Sequence, residues 1–198
     1  MELLSRLRWI VIAFIALLFL ILVGWGLSSI ARNIFNPGDS NQAITANDDI
    51  DVGSVDVARF LVSGPIVASE EHRSYEVEVN PSVVTITLYS DYGQNEIDQK
   101  SYKNNQEAFD TFVEALDVAN IDKRISGTSE EDDSNYEGAC PTGKRYVYNL
   151  DDDFQRWTTS CSSSKGTAGG NRSTIRRLFN RQAPEAKDML RGTGLYSN

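Results

Sequence analysis

The chain has 198 residues, with 28 Asp and Glu against 19 Lys and Arg and a formal net charge of −9. Its hydrophobic share of 40% and aromatic share of 10% exclude a wholly disordered chain, and the length suits one domain with extensions rather than two. Residues 36–137 carry 22 acidic and 6 basic side chains, whereas 138–198 carry 10 basic and 5 acidic, so the acidic body repels phosphate backbones and no nucleic acid is expected as partner.

From Trp9 to Leu27 no side chain is charged, and Ser28–Ala31 extend the stretch up to Arg32. About 20 apolar residues at 1.5 Å each cross a hydrocarbon core of ~30 Å. Residues 9–31 are therefore expected to span a lipid bilayer as one helix, with Trp9 and Trp25 near its ends, where indole rings favour the headgroup layer. Arg6 and Arg8 precede the span and Arg32 follows it. The positive-inside rule then puts residues 1–8 in the cytoplasm and 33–198 outside. Ser29-Ile30-Ala31 resembles a signal-peptidase site, but cleaved signals have apolar cores of only about 7–15 residues, so an uncleaved anchor is expected.

Residues 32–54 are expected as a flexible linker, polar and acidic from Asn36 onward and without helical or strand period. Residues 55–184 carry the domain. Ala58–Ser63 and Ile66–Ser69 are short apolar runs parted by Gly64-Pro65. Tyr75, Val77 and Val79 alternate with Glu76 and Glu78. After Asn80-Pro81-Ser82, Val84, Ile86 and Leu88 alternate with Thr85 and Thr87, which predicts a hairpin. Asn104 or Asn105 can cap a helix whose apolar stripe is Phe109, Phe112, Val113, Leu116 and Ala119. The acidic stretch Gly127–Glu137 is expected as a mobile loop. Strands follow at Arg145–Leu150 and Phe154–Ser160, then a Gly-rich loop at Gly166–Gly170 and a short helix with Ile175, Leu178 and Phe179 on one side. Residues 185–198 are expected as a C-terminal tail. The order β-β-β-α-β-β-α predicts an α+β fold, a small antiparallel sheet with one or two helices on one face.

Cys140 and Cys161 are the only cysteines, and a pair outside the membrane is expected to form a disulfide. Two antiparallel strands between them would bring the bond's two ends together. No metal site and no cofactor is expected, since His72 alone cannot complete a zinc set. His72 itself, flanked by Glu70, Glu71 and Arg73, is expected at the surface.

The alternative to a binding module is an envelope enzyme of the sortase-like cysteine transpeptidase type, with His72, Cys161 after Trp157-Thr158-Thr159-Ser160, and Arg172 as its set. The Leu of the usual Thr-Leu-x-Thr strand end is missing, Ser stands in place of its last Thr, and a disulfide would consume the thiol. Gly138–Lys144 matches the start of a phosphate-binding loop, but Arg145 replaces the hydroxyl residue and a strand follows where a helix must begin. Ser162-Ser163-Ser164-Lys165 fits Ser-x-x-Lys without the motifs that accompany it in penicillin-binding proteins. The predicted last helix carries Arg172, Arg176, Arg177 and Arg181 around its apolar side, a candidate anion-facing surface for lipid headgroups or an acidic wall polymer.

Several stretches together resemble a group of uncharacterised membrane-anchored proteins of the Saccharibacteria. These are Arg59–Ala68 with Gly64-Pro65, His72–Tyr75, Asn104–Leu116, Cys140-Pro141, Trp157–Cys161, Gly166-Thr167, and Leu178-Phe179 with Gln182 and Pro184. The resemblance implies an envelope protein in a lineage where attachment to a host surface matters, and brings no activity with it. The expected function is thus a single-pass, extracytoplasmic binding or structural module of the cell envelope, meeting an envelope protein or an anionic surface polymer.

Overall fold

Side chains two apart along a strand share a face, and in this chain those shared faces are apolar on one side of a sheet. The computed structural model describes residues 44–45, 51–163 and 165–196. The expected span at 9–31 lies outside them; among the described residues no helix is long and apolar enough to cross a membrane.

The strands are β1 (Ile44–Thr45), β2 (Ala58–Ser63), β3 (Arg73–Val79), β4 (Val83–Ser90) and β5 (Asn95–Lys103), followed by helix α1 (Gln106–Val118). Next come β6 (Arg124–Ile125), β7 (Arg145–Leu150), β8 (Phe154–Thr159), α2 (Arg172–Gln182) and α3 (Ala186–Met189). Six strands form one antiparallel sheet in the order β5-β4-β3-β2-β7-β8, and β1 pairs with β6.

Register explains the core. Phe60 stands between Val77 of β3 and Tyr148 of β7, and Val62 between Tyr75 and Tyr146. All six are buried on one face with Ile86 and Leu88 of β4. On this face Phe60 stacks with Phe179 of α2 at 5.4 Å between ring centres, and Phe179 meets Phe112 of α1 edge-on at 5.1 Å. Burying each such side chain stabilises the fold by about 1.5–3 kcal/mol. Both helices start on Asn caps: Asn105 Oδ1 accepts from Ala108 N at 2.9 Å, and Asn171 Oδ1 from Thr174 N at 3.1 Å. The predicted hairpin turn forms because Asn80 Oδ1 accepts from the Ser82 and Val83 amides, each at 2.9 Å.

The fold differs from expectation in several places. An unexpected strand, β5, joins β4 at the edge of the sheet, although Asn95–Lys103 has no apolar alternation. Ile66–Ser69 is not a strand: Ile66 and Val67 are exposed, and Ser69–Glu71 is a single helical turn. The expected tail is packed, since α3 and the turn after it place Ala186, Leu190 and Leu195 in the hydrophobic core. The end of the expected linker is packed too, with Val52 in that core on a turn capped by Asp51.

Candidate functional site

The sulfurs of Cys140 and Cys161 are bonded, with their Cα atoms 5.6 Å apart. The bond joins the entrance of β7 to the exit of β8, whose paired residues Arg145 and Thr159 bring the two ends together. A disulfide sulfur is no nucleophile, and the other two members of the transpeptidase set are held elsewhere. His72 Nε2 lies 3.2 Å from Ser63 Oγ, and Arg172 Nη1 donates to Thr158 Oγ1 at 3.2 Å.

The four arginines of α2 fall on two faces, because residues four apart stack one turn above each other. Arg172 and Arg176 flank the core side: Arg172 is bonded to Thr158, and the Arg176 guanidinium lies 4.7 Å over the Tyr146 ring. Arg177 and Arg181 point away from the core, both exposed. Among the described residues neither makes an ion pair, although acidic side chains outnumber basic ones in the chain.

The opposite face of the sheet holds a polar cluster that no motif or spacing announces. Pairing places Ser63 of β2 between Ser74 of β3 and Arg145 of β7. Arg145, 2% exposed, donates through Nη2 to Ser63 Oγ at 2.7 Å and to the Gly64 carbonyl, and through Nη1 to the Ala139 carbonyl at 3.4 Å. His72, expected at the surface, is 1% exposed: the exposed Tyr92 stacks on it at 3.8 Å and ties down the neighbouring loop, its hydroxyl donating to the Val67 carbonyl and accepting from the Val67 amide. Burial first, and then the Arg145 and Arg73 charges, hold the His72 imidazole below its ordinary pKa. Burial likewise lowers Arg145 from its ordinary value. The Ser63 hydroxyl accepts from a guanidinium and faces a neutral imidazole. The two contacts tie the start of the β2–β3 connection to β7.

Beside this cluster the acidic stretch is held along β8, by Arg156 and Trp157 that project from its two faces. Asp133 is buried between Arg124 (Nη2 to Oδ2, 2.7 Å) and Arg156 (Nη1 to Oδ2, 2.9 Å). Trp157 Nε1 donates to the Asp132 carbonyl at 2.8 Å, and the Asp132 carboxylate caps the turn by accepting from Ser129 N. Gly127–Glu137 is therefore not the free loop its composition suggested. Among the described residues no group of three His, Cys, Asp or Glu side chains is arranged to hold a metal ion.

Compared with protein-family models, curated proteins and solved structures, the chain matches none.

Proposed function

We propose that this chain is a membrane-tethered binding module displayed outside the cytoplasm, and that the outward face of α2 meets an anionic polymer of the cell envelope. The observation that carries the reading is the pair Arg177 and Arg181, exposed one helical turn apart and without a carboxylate partner among the described residues. Two guanidinium groups at that spacing suit a chain of repeating phosphates or carboxylates, each taking a charged hydrogen bond. The apolar stretch 9–31 supports the tether. The Cys140–Cys161 bond supports an oxidising compartment.

The test uses the full chain in nanodiscs of neutral lipid and polyglycerol phosphate as probe. Arg177→Glu with Arg181→Glu is expected to weaken binding at least about tenfold, roughly 1.4 kcal/mol, and to flatten its salt dependence. Equal binding by the double variant and the parent would overturn the reading.

A further inference from the structure

The sheet has two edges, and the chain treats them differently. On β8 the outer edge is covered, because the Thr167 and Ala168 amides donate to the Trp157 carbonyl at 2.9 and 3.0 Å. Gly166 makes that strap possible: its φ is +75°, and a Cβ there would sit 2.2 Å from the Trp157 carbonyl oxygen. On β5, among the described residues, no strand lies beyond it in the order of the sheet. Its outer side, within Asn95–Lys103, presents backbone donors and acceptors that no described strand pairs.

Edge strands are commonly blunted by scattered charges, but the charges of β5 are ordered by sign. Glu96 and Asp98 fill its first half, Lys100 and Lys103 its second. We infer that two copies of this chain pair through β5, antiparallel about a two-fold axis at Gln99, so that their sheets run on as one. About that axis Asp98 of each copy faces Lys100 of the other; the regular pairing with β4 runs from Asp98 to Lys103, and a bulge sets Ile97 outside it. No like charges are opposed. Moving the axis one residue, onto Asp98 or Lys100, sets two like charges face to face, and a parallel in-register pairing opposes every charge to itself. Directly opposed charges of one sign destabilise a strand pair, and opposite signs stabilise it, so the charges of β5 favour the register about Gln99 over its neighbours.

The faces agree with this alignment. Asp98 and Lys100 pair with Leu88 and Ile86 of β4, so both project on the helix side of the sheet. There Lys100 Nζ already meets Glu185 at 2.5 Å. In the paired form each Lys100 lies between its own Glu185 and Asp98 of the second copy.

The experiment is cysteine cross-linking of the full chain in its membrane, read as a reducible dimer on non-reducing gels. Gln99→Cys places its sulfur on the axis, where directly opposite Cβ atoms lie about 4.5–5.5 Å apart. It is expected to form the dimer under mild oxidation. Ile97→Cys is expected not to, since its copy lies four residues along the strand, roughly 13 Å away. Val118→Cys, more exposed at 77% but on α1, serves as the collision control. Adding Asp98→Lys to Gln99→Cys opposes Lys to Lys100 and is expected to cut the dimer at least about tenfold. An intact Cys140–Cys161 bond in each variant reports that the fold is kept. Dimer from Gln99→Cys no greater than from Val118→Cys, equal dimer from Ile97→Cys, or indifference to Asp98→Lys would each overturn the inference.

Discussion

Asp133 and Arg156 are 23 residues apart, yet the carboxylate of one accepts from the buried guanidinium of the other at 2.9 Å. The contact fastens an acidic turn to β8. Arg124 donates to the same carboxylate, so two guanidinium groups share it. Removing one partner of a buried ion pair typically costs about 3–5 kcal/mol, because the remaining charge stays desolvated. Asp133→Ala is expected to lower unfolding free energy by about that much. Asp132→Ala, which removes only a cap, is expected to cost about 1 kcal/mol. Urea unfolding of both variants, compared at equal m-value, checks the difference.

His72 gives the domain a pH response. Its imidazole is held neutral in the fold, whereas in the unfolded chain it takes a proton near its ordinary value of 6.5. Below that pH the unfolded state binds the additional proton, so this group's contribution is complete above about 6.5 and is lost as pH falls through the depressed native value. Each unit between the two values is worth about 1.4 kcal/mol. His72→Phe keeps a ring against Tyr92 without a titrating nitrogen. The difference in stability between parent and variant is expected to shift against the parent from pH 7.5 to 5.5 and to stay constant above 7.

The segment after Pro184 belongs to the core. Leu190 and Leu195 are each 1% exposed, and truncating a buried Leu typically costs about 2–5 kcal/mol. Leu190→Ala is expected to fall in that range, and Arg191→Ala, on an exposed side chain, within about 0.5 kcal/mol. Thermal unfolding of the two separates a packed segment from a free tail.

Reducing the disulfide is expected to cost about 3 kcal/mol in the chain-entropy account, for a loop of 21 residues. Urea midpoints with and without reductant measure it. A shift below about 1 kcal/mol would mean that β7 and β8 hold their ends together without the bond.

Where burial follows sequence period, the fold was legible. The alternations of β3 and β4, the stripe of α1 and the Asn105 cap all stand in the sequence in the order in which they pack. β5 was not legible, because an edge strand that is mostly exposed needs no apolar alternation, and in Asn95–Lys103 Tyr102 alone packs against the core. His72 and Asp133 were misjudged for the same physical reason: local neighbours that are charged say nothing about rings and guanidinium groups arriving from distant strands. Of the four α2 arginines, helical spacing alone separates the outward pair from the pair near the core. What removes Arg172 and Arg176 from the surface, the Thr158 hydroxyl and the Tyr146 ring, comes from β8 and β7. Ser63, Arg145 and His72 meet only because β2 pairs with β7, a register joining residues about eighty positions apart.

The decisive measurement is protease accessibility in intact cells, with an epitope appended after Asn198. External protease is expected to remove the epitope from the full-length band without lysis, and to leave a cytoplasmic marker whole. An epitope that survives until the cells are broken open would contradict the account.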